Sequence, residues 1–236
     1  MSDLPVGDEK VRAVRSMFDT IAPRYDLVNR IMTFRMDVGW RRRAVGALDL
    51  GPAATVMDLA CGTGDLCRDL ARAGYRPIGV DLSLGMLRHA RAAAPLVEGD
   101  ALRLPLADCS LDGAVSGFAL RNFMALDPVF SELARVVRPG GRISLLDVAA
   151  PTNPVLRAGH GVYFSRVVPR IGGFLSDTDA YRYLPRSVAY LPPSDDLLES
   201  LRTVGFGMVT RVLLSGGIAQ LICATRQVTT AAERGS

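Results

Sequence analysis

Aromatic residues are scarce in this sequence, at 6% of positions with a single Trp. Surfaces that bind nucleic acid by stacking need aromatic faces, so that class of partner is disfavoured. Histidine is scarcer still, with only His89 and His160, and none of Cys61, Cys67, Cys109 and Cys223 forms a C-x-x-C pair. A structural zinc needs four well-spaced ligands, so no metal is expected, and scattered thiols suit a reducing cytosol. No apolar run approaches the ~20 residues of a membrane span. The start, MSDLPVGDEK, lacks an apolar stretch behind a basic head and does not read as a signal peptide. A large charge of one sign is also missing, since the formal net charge is +4. Together with the absence of an Asn/Asp-Pro-Pro-Tyr/Phe loop of the base-flipping type, this argues against nucleic acid as substrate.

What is present describes a soluble globular chain. Hydrophobic residues make up 49% and charged residues 22% of 236 positions, enough for one full core with an added lid. The densest basic cluster is Arg41-Arg42-Arg43. It reads either as the solvated face of a helix or as an attraction to an anionic membrane surface.

Val11, Val14, Met17, Phe18 and Ile21 recur at helical spacing, and a second helix is expected over about 37–48, with Trp40 in its core face. From residue 54 the rhythm changes. Short apolar runs at 55–59, 77–81, 96–98, 113–116 and 142–148 alternate with helical patterns after Gly64, from Ser83 to about Ala93, and over about 125–137. The last of these helices is expected to stop at Pro139-Gly140-Gly141. Such alternation predicts an α/β fold, a parallel sheet with helices on both faces. Residues 151–190, with four prolines and the Gly172-Gly173 pair, break the rhythm and read as an inserted lid. A helix near 194–205 and strands near 207–214 and 218–225 follow, the strands joined by the short Ser215-Gly216-Gly217 connection and so expected to be antiparallel. The chain divides accordingly into an N-terminal helical lid (1–50), a nucleoside-binding core (51–150), an inserted substrate lid (151–193), a helix and strand pair completing the core (194–226), and a frayed polar tail (227–236).

The strongest local signal is Val56-Met57-Asp58-Leu59-Ala60-Cys61-Gly62-Thr63-Gly64-Asp65, a strand running into a glycine turn and then a helix. Gly62 and Gly64 let the backbone turn tightly and approach a ligand, and the following helix start offers free N–H groups. Asp81 ends the second strand, 23 positions after Asp58, where an acid can accept hydrogen bonds from ribose hydroxyls. Asp100-Ala101 follows the third strand, where an adenine would lie. NAD is the rival ligand, because Cys67 is small enough for the third position of a G-x-G-x-x-G pattern. Asp58 and Asp65 beside the turn would repel a pyrophosphate and attract the cationic amino and sulfonium groups of S-adenosylmethionine.

At this point the residues resemble a known family. Asp58 through Asp65 looks like the cofactor loop of class I S-adenosylmethionine-dependent methyltransferases. More specifically, the chain resembles the C-methyltransferases of menaquinone and ubiquinone biosynthesis over about residues 11 to 226. The segments that carry the resemblance are Met17-Phe18-Asp19 through Tyr25-Asp26-Leu27-Val28-Asn29, Phe118-Ala119-Leu120-Arg121-Asn122, Ala180-Tyr181-Arg182-Tyr183-Leu184-Pro185 and Leu214-Ser215-Gly216-Gly217-Ile218. The resemblance implies a Rossmann-like seven-stranded sheet, mostly parallel with an antiparallel final strand. It implies S-adenosyl-L-methionine as cofactor, contacted by Thr63, Asp81, Leu82, Asp100, Ala101 and Gly117. It also implies methylation of a ring carbon of a prenylated quinol, with a demethylmenaquinol preferred. The alternative is another aromatic or quinone-like acceptor, a secondary metabolite or a demethoxy-ubiquinol type. Gly117 stands where the family often has Ser, Cys61 where it has Gly, Asp147 where it has Glu, and Asp37 where many members have His. A homodimer, and contact with the inner face of the cell membrane by an otherwise cytoplasmic protein, complete the expected partners.

The chemistry asks for a ring carbon made nucleophilic by loss of a hydroxyl proton. Phenols ordinarily have a pKa of roughly 10, so the site must lower that value or supply a base. Arg121 is expected to stabilise the phenolate oxygen and Asn122 to orient the hydroxyl, since guanidinium is a poor base. Tyr25 reads either as a half-buried helix anchor or as a catalytic residue that covers the cofactor and helps to orient the substrate. Tyr181 and Arg182 read as a second wall or a packing cluster, and His160 as a packed residue or a base. The apolar stretch over 162–175 is either core or a channel for a prenyl tail facing the bilayer. His89 is expected to face solvent.

Overall fold

The computed structural model describes residues 7–149, 151, 153, 187 and 190–228. It opens with three helices, α1 (Gly7–Ile21), α2 (Tyr25–Met32) and α3 (Met36–Gly46). Pro23, in the 3-10 turn Ala22–Arg24, has no N–H to continue α1 and separates the first two. The alternating part follows as β1 (Thr55–Leu59), α4 (Asp65–Arg72), β2 (Arg76–Asp81), α5 (Leu84–Arg88), β3 (Leu96–Glu98), β4 (Leu111–Gly117), α6 (Leu126–Val136) and β5 (Val137–Val148). The chain closes with α7 (Ser194–Thr203), β6 (Phe206–Leu214) and β7 (Ala219–Arg226).

The seven strands form one sheet in the order β3-β2-β1-β4-β5-β7-β6. Pairs among β1 to β5 are parallel, and β7 runs antiparallel to both neighbours. The expected Rossmann-like sheet with an antiparallel final strand is therefore present. Strand order reverses between β1 and β4, and crevices at such a switch point, beyond the carboxyl ends of the strands, hold ligands.

The two-residue period of β1 sorts its side chains between the faces. Met57 and Leu59 join a core with Phe130 and Leu133 of α6, Leu197 and Leu201 of α7, and Phe206. Val56 faces the other way, into a cluster with Val45 and Leu48 at the end of α3 and Leu66 and Leu70 of α4. Asp58 shares its parity and points toward α4. Trp40 is buried as expected, packed with Ala44 against Leu146 and Leu221, and its indole N–H donates to Ser215 Oγ at 2.9 Å.

Three local expectations change. The helix after Asp81 ends at Arg88 rather than near Ala93. Arg91 N–H instead donates to Thr63 O at 3.1 Å, and Ala92 is pressed against Gly64, where an added Cβ would come within 2.7 Å. The helix expected over about 125–137 is α6, but the strand expected from Arg142 begins at once after it, at Val137. Gly140, at φ +80°, lies in an irregular stretch where the β4 partners shift from Val137 to Arg142. The basic run is also split: Arg42 and Arg43 are exposed, while Arg41 is buried between carboxylates.

Candidate active site

The turn after β1 takes left-handed backbone at Ala60 (φ +56°), Gly62 (φ +54°) and Gly64 (φ +80°). At Gly62 an added Cβ would meet nothing within 4 Å, and the residue borders a cavity. Gly64 is excluded from the cavity and is small because Ala92 packs onto it. The cavity encloses about 870 Å³ of atom-free space including its open mouth, beyond the carboxyl ends of β1, β2, β3 and β4. That position is where the sheet topology places a ligand.

Asp81 is the polar centre of this crevice. Its Oδ2 accepts the Gly62 N–H at 2.7 Å and its Oδ1 accepts the Ser83 N–H at 2.8 Å. Burial lifts its pKa above the ordinary carboxylate range, against the pull of these N–H donors. Each oxygen keeps acceptor capacity for a ribose hydroxyl. Leu82, Asp100, Ala101 and Gly117 line the same cavity, with the Asp100 carboxylate fixed by the Leu102 N–H at 2.9 Å. Val80 and Met86 supply apolar wall. A diol acceptor, a second acid and an apolar slot suit an adenosine, and the open backbone at Gly62 suits the chain attached to its sugar.

Tyr25 and Asn122 also face this cavity. Burial raises the Tyr25 pKa, while a hydrogen bond with Asn29 and the charge of Arg121 act against that. The phenol therefore stays protonated at neutral pH and serves as a hydrogen-bond donor rather than a base. Asn122 Nδ2 donates to Phe118 O at 3.4 Å. The neighbouring α2 is tied to the glycine turn, since Thr63 Oγ donates to Asp26 Oδ1. That bond accounts for the Thr63 side chain, which is buried and does not line the cavity.

Arg121 also lies outside the lining. Its guanidinium pairs with the fully buried Asp147, donates to Phe118 O at 2.7 Å and reaches Ser187 Oγ at 3.1 Å. A buried carboxylate needs a cationic partner, and this draws Arg121 behind the cavity wall. Its charge still acts on Tyr25. Phe118, at φ +61°, is a strained aromatic held by these bonds, its N–H donating to Leu146 O at 2.7 Å.

Asp58 is likewise beneath the turn rather than at the cavity surface. Its Oδ2 accepts the Cys67 N–H at 3.0 Å, and its Oδ1 has no hydrogen-bond partner among the described residues. Burial pushes its pKa up to about 7. Asp65 is matched by Arg41 at 3.0 Å, by Arg68, and by Arg30 at 3.7 Å. Asp65 therefore contributes little net negative field toward a cation, contrary to the reading of the turn from its sequence. Tyr181, Arg182 and His160 lie outside the described residues, as does the apolar stretch 162–175. His89 is exposed, its Nδ1 lying 2.8 Å from Gly85 O.

The sequence reading missed how far α1 enters the site. Val11, Val14, Arg15 and Phe18 line the cavity. Three polar ties fix α1 to the rest of the chain: Lys10 Nζ to Phe123 O at 2.7 Å, Arg15 to Glu98 at 2.6 Å, and Asp19 Oδ1 accepting the Gly85 N–H at 2.9 Å. The apolar spacing of Val11, Val14 and Phe18 was legible, but nothing in it says which surface the helix covers.

The comparisons with known proteins agree with this geometry. The family model of the ubiE/COQ5 methyltransferase family matches residues 5–226. The chain is 40% identical over 223 residues to the ubiquinone/menaquinone biosynthesis C-methyltransferase UbiE of Syntrophotalea carbinolica, covering 91% of this chain and 94% of that one. It is 40% identical over 228 residues to the demethylmenaquinone methyltransferase of Roseiflexus castenholzii, covering 92% and 95%. A solved S-adenosylmethionine-dependent methyltransferase from Thermotoga maritima superposes with a TM-score of 0.64 at 18% identity, over 91% of this chain and 100% of that one. The protein is an enzyme that transfers methyl groups, with S-adenosyl-L-methionine as cofactor: the chain belongs to the ubiE/COQ5 methyltransferase family.

Proposed function

We propose that the enzyme methylates a ring carbon of a demethylmenaquinol to give a menaquinol. One observation carries the reading from the geometry. A single cavity joins nucleoside acceptors, Asp81 and Asp100, to an apolar wall of Phe118, Phe123 and Met124 that also presents the polar Tyr25 and Asn122. A flat, apolar ring bearing hydroxyls fits the second part as an adenosine fits the first. The naming of relatives that are 40% identical over nearly the whole chain points the same way.

When bound, S-adenosyl-L-methionine would supply an electrophilic methyl group: the carbon–sulfur bond would break as the ring carbon takes the methyl, and that carbon would then release its own hydrogen as a proton to water. Asp81, Asp100, Leu82 and Ala101 would hold the adenosine, and the turn through Gly62 would hold the rest. Tyr25 donates a hydrogen bond to a ring oxygen, which favours its phenolate form. Asn122 orients a ring hydroxyl. Arg121 adds positive potential from behind the wall while fixing Phe118 and Asn122 through its pair with Asp147. The α1 residues Val11, Val14 and Phe18, which line the cavity, would exclude water and help to position the two reactants, an effect worth several powers of ten in rate.

Because the prenylated substrate resides in a bilayer, we infer a peripheral contact with the inner face of the cell membrane by a cytoplasmic enzyme. No helix among the described residues is long and apolar enough to cross a membrane. A panel of acceptors tests the reading. Demethylmenaquinol is expected to exceed simple naphthols and demethoxy-ubiquinol analogues in kcat/KM by at least tenfold. Equal turnover of a non-quinol phenol would move the assignment to another aromatic acceptor.

A further inference from the structure

Asp19 is an acid in the last turn of α1, where the helix dipole disfavours negative charge. Its bonds reach outside its own helix. Asp19 Oδ1 accepts two hydrogen bonds from the segment that follows β2, one from the Ser83 hydroxyl at 2.5 Å and one from the Gly85 N–H at 2.9 Å. Gly85 allows this approach, since a Cβ there would stand 2.6 Å from Asp19 Oδ1 and 2.8 Å from Asp19 Cα. Ser83 is 2% exposed, and its hydroxyl is engaged both as acceptor and as donor. It accepts the Met86 N–H at 3.0 Å and gives its one proton to Asp19.

The same segment carries the diol acceptor. The Ser83 N–H donates to Asp81 Oδ1 at 2.8 Å, and Asp81 Oδ2 accepts the Gly62 N–H at 2.7 Å. A continuous run of bonds therefore leads from α1 through Ser83 and Asp81 to the glycine turn. Because Asp19 holds the Ser83 proton, that proton is not spent on Asp81, and the remaining acceptor capacity of Asp81 is left for a ligand. Asp81, Leu82 and Ser83 line the cavity, as does Phe18 beside Asp19, whose ring meets that of Tyr25 edge-on at 5.9 Å. Asp19 itself is not part of the lining, so it acts on a ligand through these neighbours.

We propose that Asp19 is a positioning residue for the cofactor: through Ser83 it holds the Asp81 carboxylate in the orientation that receives the ribose diol. This rests on the reading of Asp81 as the diol acceptor and is independent of the quinol. Calorimetry of the full chain with S-adenosylhomocysteine and with its 2′,3′-dideoxy analogue isolates the diol. The wild type is expected to bind the diol-bearing compound more tightly by at least about tenfold. Asp19→Ala should reduce that ratio about fivefold, the ordinary worth of one hydrogen bond, with the Kd of the dideoxy analogue unchanged. Asp19→Asn, whose amide oxygen can accept from both donors, should keep the wild-type ratio. Gly85→Ala, which keeps the carboxylate but forces α1 away, should lower the ratio as Asp19→Ala does. Adding Ser83→Ala to Asp19→Ala should cost no more than Ser83→Ala alone. An Asp19→Ala protein that keeps the ratio, or binds both compounds more weakly by the same factor, would overturn the proposal, because Asp19 would then only anchor α1. So would Asp19→Asn behaving as Asp19→Ala does. Asp81→Ala separates the two claims. If it leaves the ratio intact, the diol reading fails and the proposal falls with it; if it removes the ratio while Asp19→Ala does not lower it, the proposal alone falls.

Discussion

Asp58→Asn should make the protein more stable at alkaline pH, although Asp58 sits at the heart of the glycine turn. The carboxyl is wholly buried, one oxygen accepts the Cys67 N–H, the Cys67 thiol also bonds to the carboxyl, and the other oxygen has no hydrogen-bond partner among the described residues. Burial raises its pKa from 3.8 to about 7. The folded state then binds a proton more tightly than the unfolded chain, so stability is greatest below the unfolded value and falls as pH rises through this window. About three pKa units at about 1.36 kcal/mol each set the loss on the order of 4 kcal/mol by pH 8. An Asn of the same shape keeps an acceptor for Cys67 and carries no charge. Part of the gain is offset by its own buried amide, which leaves a net advantage of about 1–3 kcal/mol at pH 8. Urea unfolding of the cofactor-free wild type and variant at pH 5 and pH 8 measures this. The wild type should lose stability relative to the variant between the two pH values. Parallel profiles, or a wild type that gains on the variant as pH rises, would refute the reasoning.

Asp81→Ala should weaken cofactor binding by at least tenfold in calorimetry, because it removes the acceptors for the diol and the anchor of the Gly62 N–H. Gly62→Val places a branched side chain at φ +54° and projects it toward the cavity. A strain of about 1–2 kcal/mol and lost cofactor binding should appear together, in thermal unfolding and calorimetry. Asp147→Ala leaves the Arg121 guanidinium buried beside an empty position, at a cost of about 3–5 kcal/mol in urea unfolding. The double variant Asp147→Ala/Arg121→Met should recover part of that stability and none of the activity. Lys10→Ala removes the tie from α1 to Phe123 O and should raise the cofactor Kd several-fold with little change in melting temperature.

Much of this architecture was legible because it is written in local periodicity. The runs around Val56, Val80 and Val115 alternate with helical spacing, and the Gly62 and Asp81 positions mark the carboxyl ends of two adjacent strands. What stayed hidden depends on contacts distant in sequence. Arg121 reads as a site residue from its neighbours, yet a carboxylate 26 positions away draws it behind the wall. The helix at Ser83 looks longer than it is, because its continuation is captured by Gly64 and Thr63 across the turn. Arg41 reads like Arg42 and Arg43, and only the packing of α3 on α4 separates them, through Asp65 and Asp69. The lining face of α1 shows as helical spacing, while the surface it covers is set by ties to Glu98, Gly85 and Phe123.

The most direct test supplies S-adenosylmethionine with a carbon-13 methyl group and a demethylmenaquinol, and locates the label in the product by NMR. The account predicts a new methyl on the ring carbon, formed by the wild type and strongly reduced in Tyr25→Phe, which retains cofactor binding. Label on a ring oxygen, or no labelled quinol from folded enzyme that binds the cofactor, would contradict it.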